Sequence, residues 1–151
     1  MFIQKDFDIE PILAKPLMAH LSTIENDEPR DSPVWFLYDE SSLWIFGTSK
    51  DSFIKRLNKN CNCAIGIVDF DVEKGLLKHI GFRGKAICNK IDPDRLNHFL
   101  IKYLGSDSTQ WNSWFIKHVV NPLNVMVQYI PKTIVAKDVS FFKTGPNLYS
   151  E

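Results

Sequence analysis

Residues 43–57 read LWIFGTSKDSFIKRL. The run Leu43–Phe46 is rich in β-formers, breaks at Gly47, and passes through Thr48, Ser49, Lys50, Asp51 and Ser52 into a helical pattern. That helix is expected to start between Ser49 and Ser52 and to end near Lys59. Phe53, Ile54 and Leu57 would form its apolar face, with Lys55, Arg56 and Lys59 exposed. A strand that breaks and re-enters as a helix presents unpaired N–H groups and a partial positive charge, which suits a phosphate. Thr48, Ser49 and Ser52 add hydroxyls, and Lys50 adds an ammonium group. The plainer alternative is that Ser49 or Ser52 only caps the helix. The stretch matches neither a P-loop nor a GxGxxG turn.

On either side lie short β runs separated by turn residues. Upstream, Ile9–Ala14 reads as a short helix halted near Pro16, and Met18–Glu25 as a strand. Asn26-Asp27-Glu28-Pro29 supplies a turn, and Val34–Tyr38 pairs with Leu43–Phe46 through Asp39–Ser42. Downstream, Cys63–Asp69 and Lys78–Cys88 are strands, the second marked by Gly81 and Gly84. Asn124–Ile130 and Lys132–Asp138 are expected as two more, separated by Pro131. Asp92 and Pro93 open a helix in which Leu96, Phe99, Leu100 and Tyr103 repeat at helical spacing before Gly105. A further helix is expected over Ser108–Val120. Six or seven strands in hairpin order predict a closed antiparallel barrel with flanking helices over residues 1–151 as one domain, rather than a sandwich.

Lys plus Arg and Asp plus Glu both number 18, so the net charge is zero and nothing draws the chain to nucleic acid or an anionic membrane. Met1–Ile9 carries mixed charge, and no stretch approaches the roughly 18 apolar residues of a membrane span. A soluble, cytoplasmic protein is expected. Cys61 and Cys63 are too close together for a zinc hook, so with Cys88 they read as reduced thiols and no metal site is expected. His20, His79, His98 and His118 have no carboxylate or nucleophile at diagnostic spacing. Trp111, Trp114 and Phe115 could pack in a core or line a ligand's edge.

The order of these segments resembles the pyridoxamine 5'-phosphate oxidase-like flavoproteins, which share the FMN-binding split barrel. LMAHLST at 17–23 with PRDSPVWF at 29–36 resembles their opening hairpin, and LWIFGTSKDS at 43–52 their phosphate-binding turn. KRLNKNCNCAIGIVD at 55–69 and GFRGKAIC at 81–88 are similar to the helix and strands that follow. The resemblance covers roughly residues 10–90. The later segments look like a subgroup of small proteins of poorly defined activity.

The resemblance implies FMN at the interface of a homodimer and oxidoreductase activity on an unknown small molecule. Ser32, Pro33, Val34 and Trp35 would lie beside the isoalloxazine ring. Phe46, Gly47, Thr48, Ser49, Lys50 and Ser52 would hold the ribityl phosphate, and His79 would reach the flavin or serve only the strand. Two departures stand out. Phe53 occupies a position where the family often has Lys or Arg, so Lys50 or Lys55 would have to compensate. The C-terminal SFFKTGPNLYSE lacks the Arg and His with which the vitamin B6 enzyme closes its substrate site, so that reaction is not expected. Alternatives are a non-catalytic flavin-binding or flavin-sensing protein, or the same barrel holding a deazaflavin, or a haem on His20 or His79.

Overall fold

The computed structural model describes residues 1–141. Its strands are β1 (Phe2–Lys5), β2 (Ala19–Glu25), β3 (Glu28–Val34), β4 (Leu37–Asp39), β5 (Ser42–Gly47), β6 (Asn62–Asp71), β7 (Leu76–Asn89) and β8 (Val125–Asp138). They form one sheet in the order β3-β2-β6-β7-β8-β5-β4, with β1 added to β8. Every pairing is antiparallel except β1 with β8. The terminal strands β3 and β4 do not pair, so the barrel is split, as the resemblance implies, and not closed as hairpin order alone predicts.

Eight strands replace the expected six or seven for three local reasons. β1 is exposed along its whole length and has no apolar alternation to announce it. The first turn is tighter than expected: Asn26 (φ 51°) and Asp27 (φ 62°) close a two-residue hairpin, so Glu28 and Pro29 already belong to β3. Pro29 is tolerated there because β3 is an edge strand. Glu40 (φ 51°) and Ser41 (φ 59°) make the same kind of turn between β4 and β5.

The third reason runs the other way. Residues expected as two strands around Pro131 are one strand, β8. Pro131 sits opposite Gly84, where the register shifts between Arg83 and Gly84. A Cβ on Gly84 would lie 2.2 Å from the Ile130 carbonyl oxygen, so only glycine lets the strands close at this bulge.

The interior is largely aliphatic, with Leu21, Ile45, Ile67 and Ile80 fully enclosed. Helix α1 (Glu10–Leu13) contributes Ile12 and Leu13 to this core, and α2 (Ser52–Lys59) contributes Ile54 and Leu57. Helix α3 (Pro93–Leu104) matches its sequence signals, with the Asp92 carboxylate accepting from Asp94 N and Gly105 at φ 95°. Phe99 and Leu100 of α3 are buried, and Leu96 and Tyr103 pack beside them, against Trp44, Phe46 and Met126. That contact buries β5 on both sides, Leu43 and Ile45 facing the interior and Trp44 and Phe46 facing α3.

The helix expected over 108–120 is broken into a 3₁₀ turn (Ser108–Gln110), one α turn (Ser113–Phe115) and a π turn (Ile116–Val120). Asp107 accepts from Thr109 N and Asn112 from Phe115 N, so each side chain starts a new turn in place of a continuous ladder. The C-terminal stretch noted in the sequence lies mostly outside the described residues, which end at Phe141.

Candidate functional site

The strand-to-helix turn is built by Asp51. Thr48 N donates to Asp51 Oδ2 (2.8 Å), and Asp51 N donates to Thr48 O (3.0 Å). Ser49 N donates to Asn124 Oδ1 at 2.9 Å, and Lys50 N to Thr48 Oγ1 at 3.3 Å. Asp51 occupies the N-cap position but turns its carboxylate back into the turn, and no side chain caps α2. Neither Ser49 nor Ser52 therefore serves as the helix cap. The N–H groups of Ser52, Phe53 and Ile54 find no acceptor among the described residues. Ser49, Lys50 and Ser52 are exposed around them, and Thr48 is half-buried.

Phe53 lies across the end of β5. A Cβ on Gly47 would come within 2.9 Å of its ring and 3.0 Å of Asp51 Oδ2, so glycine is what allows ring and carboxylate to close over the strand.

Arg56 corrects the sequence expectation for α2. It is not on the solvent face with Lys55 and Lys59 but buried, at 8% exposure. Its Nε donates to Thr23 Oγ1 at 2.7 Å and its Nη2 to Ser32 Oγ at 3.1 Å. Thr23 and Ser32 lie on adjacent strands and face the same way, since Leu21 pairs with Ser32 and Thr23 with Arg30. No carboxylate forms an ion pair with Arg56 among the described residues.

Beside the turn, on the α3 side of the sheet, is a recess of about 270 Å³ lined by apolar side chains only. Pro33, Val34, Trp35 and Phe46 gather there with Phe53. Trp35 stacks on Tyr103 with centroids 4.4 Å apart and planes 2° from parallel. Tyr103 is fixed in turn, its hydroxyl donating to Leu17 O (2.6 Å) and accepting from Phe36 N (3.1 Å). Burial pushes that phenol up to about 12, so it keeps its proton. Phe115 and the π turn, through Val119 and Val120, form the far wall.

The structure thus brings four of the sequence-selected residues into the recess and places Gly47–Ser52 on the turn next to it. Ser32 does not line the recess; its hydroxyl is turned toward Arg56. His79 is elsewhere. It is exposed on the outer face of β7, opposite Val68 and beside Gly81, and lines a separate concavity of about 570 Å³ with Arg83 and Lys137. His20 is exposed, its Nδ1 3.1 Å from Asp31 Oδ2. Trp111 donates from Nε1 to Gly105 O at 2.8 Å, while Trp114 remains 64% exposed. The cysteines are unpaired, and burial pushes the Cys63 thiol up to about 12, which leaves it inert. Sequence reasoning missed Arg56 and the anchoring role of Tyr103. The only signal for Arg56 was its place three residues after Phe53, at the border of the apolar face.

No protein-family model matches the chain, and no curated protein matches it. Solved structures do. A conserved hypothetical protein from Mycobacterium tuberculosis superposes with a TM-score of 0.67 at 17% identity, covering 89% of each chain. An F420 reductase gives 0.63 at 21% identity over 83% of this chain and 94% of its own. A putative pyridoxamine 5'-phosphate oxidase from Listeria innocua gives 0.61 at 17% identity over 88% and 96%. The chain shares their fold over nearly its whole described length.

Proposed function

We propose that the chain is an FMN-binding flavoprotein, an oxidoreductase acting on a small molecule, that works as a homodimer. One observation carries this reading: an uncapped helix N-terminus and an apolar aromatic recess lie side by side on this fold. The residues fit the cofactor. Free N–H groups, three hydroxyls (Thr48, Ser49, Ser52) and the Lys50 ammonium surround the start of α2, where a phosphate would replace its water with donors. Phe46 and Gly47 end the strand that leads there. Ser32, Pro33, Val34 and Trp35 would flank the ring, and the recess would keep water from it.

A bound flavin supplies hydride and single-electron chemistry, so the chain need provide no acid–base pair of its own. Its residues bind, orient and exclude solvent. Within one protomer His79 lines a different concavity, so it would meet the flavin only across a dimer. Gly66 pairs with Gly81 on that outer face, which leaves it low enough for a second barrel to approach. An interface of more than about 1,000 Å² of total buried surface is expected. The three free cysteines suit a reducing, cytoplasmic setting. No helix among the described residues is long and apolar enough to cross a membrane.

The test is the absorption spectrum of the purified protein, followed by titration with FMN, riboflavin and a deazaflavin. The expected result is the blue absorption band of an oxidised flavin, bleached by NADH or NADPH. Binding of FMN should be tighter than that of riboflavin. Lys50→Ala should weaken FMN more than riboflavin, because only FMN carries the phosphate. Failure to bind any of the three at micromolar concentration overturns the reading. Preference for the deazaflavin would instead favour a second reading, drawn from the F420 reductase that shares the fold. Sedimentation of a cofactor-loaded monomer would remove the dimer.

A further inference from the structure

We infer that Arg56 is the anion anchor of this site, its guanidinium and the free N–H groups of the first turn of α2 together holding a phosphate monoester. The inference rests on the flavin reading and extends it to a residue that neither the sequence pattern nor the resemblance selects.

The chain buries the Arg56 charge and gives it only two neutral oxygens, Thr23 Oγ1 and Ser32 Oγ. A buried charge without a counter-charge is among the least favourable arrangements in a fold. The half-buried guanidinium of Arg95 is treated differently. Arg95 lies 3.3 Å from Asp39, 3.2 Å from Glu40 and 3.7 Å from Asp92, with its charge over the Trp44 ring. A guanidinium with a purely structural task is thus surrounded by carboxylates. Arg56 is not: its polar partners among the described residues are two hydroxyl oxygens.

One nitrogen of Arg56 also remains open. Nη1 donates to no described atom, yet it is not sealed: the enclosed, unpartnered side-chain nitrogen among the described residues is Arg95 Nε. Side chains on a helix lean toward its N-terminus. Ser52 and Phe53, one turn before Arg56, are among the residues whose N–H groups are free. The guanidinium fork matches the oxygens of a phosphate, whereas Lys50 is an exposed, hydrated point charge. This arrangement also explains how a phosphate is held although Phe53 stands at a usually basic position. The cation reaches the same turn from one turn further along the helix.

The experiment compares the full chain with Arg56→Gln and Arg56→Lys. Dissociation constants for FMN and riboflavin are read from flavin fluorescence. Thermal midpoints are read with and without inorganic phosphate at constant ionic strength. Arg56→Gln should weaken FMN roughly tenfold to a hundredfold, more than Lys50→Ala does, and leave riboflavin within about twofold. Inorganic phosphate should raise the midpoint of the unaltered chain and not that of Arg56→Gln. Equal loss for both flavins, or a phosphate shift that survives the substitution, overturns the anchor and leaves Arg56 as a cross-link between α2 and the sheet. Should Arg56→Gln not fold, Arg56→Lys keeps the charge without the fork. Selective loss of FMN in that variant supports the anchor, and equal loss overturns it. If the unaltered chain binds neither flavin, the flavin reading falls, and the anchor stands or falls on the phosphate shift alone.

Discussion

Strands β5 and β8 carry a hydrophobic cluster on each face, and the two clusters are built differently. The interior one is dominated by aliphatic side chains and closes around Leu21, Ile45, Ile67 and Ile80, none more than 1% exposed. The outer one, between the sheet and α3, is mostly aromatic: Trp44, Phe46, Phe99, with Leu100 and Met126. Aliphatic branches interdigitate and fill the barrel. Rings are rigid plates, and Phe99 meets Trp35 at 50° and Phe46 at 51°; all three line the recess. The interior holds the fold, while the outer cluster leaves room for a guest and admits a cation, with Arg95 Cζ 3.7 Å from the Trp44 ring centroid.

The sharpest way to break this contrast is to make equal cavities in the two clusters. Leu21→Ala in the closed interior should lower unfolding free energy by about 4 kcal/mol, read from urea denaturation. Leu100→Ala at the edge of the recess should cost less, about 2–3 kcal/mol, because neighbouring rings can relax into existing space. Equal costs would show that the outer cluster is as tightly packed as the interior.

A third prediction concerns charge. Lys102 donates to Leu13 O at 2.9 Å and Phe36 O at 2.7 Å, while burial pushes its ammonium down to about 7. The unfolded chain holds that proton up to about pH 10.4. Between these values the unfolded state binds more protons, so this group makes stability rise with pH. Replacing it by Met should flatten that rise, measured as the unfolding midpoint at several pH values across the window. An unchanged slope would mean the ammonium stays charged on its two carbonyls. The smallest effect belongs to the periphery: Asp92→Ala removes the cap of α3 and should cost about 1 kcal/mol.

The same contrast explains what the sequence made legible. Strand β6 shows itself as a run of apolar and small residues from Ala64 to Val68, although Val68 proves exposed, and β7 through Gly81 and Gly84. Helix α3 shows itself through local signals, Asp92 and Pro93 before it and Gly105 after. Arg56 was hidden because helical spacing groups it with Lys55 and Lys59, and only the distant hydroxyls of Thr23 and Ser32 bury it. Segment 108–120 read as a helix because its apolar spacing is helical, whereas Asp107 and Asn112 restart the chain twice. Of the recess, Pro33, Val34, Trp35 and Phe46 came from the resemblance, but the Tyr103 stack needs a helix some 70 residues away in sequence to arrive beside Trp35. Side chains that define a site by meeting across elements leave no periodic trace.

The position of β8 has a consequence for how the chain acquires its structure during synthesis. This strand joins β7 on one side and β5 on the other, and β1 pairs with it at Thr133–Ala136. Until it leaves the ribosome, β3-β2-β6-β7 and β5-β4 are two sheets with no ladder between them, and β1 has no partner at all. Strand β1 therefore waits for a partner made about 130 residues after it. Closing so long a loop is slow, and the open edges of β5 and β7 are exposed meanwhile to other chains. A ribosome stalled before Val125 would carry two half-barrels prone to pair with a neighbour. Release past Asp138 allows both to be zipped together by a single strand.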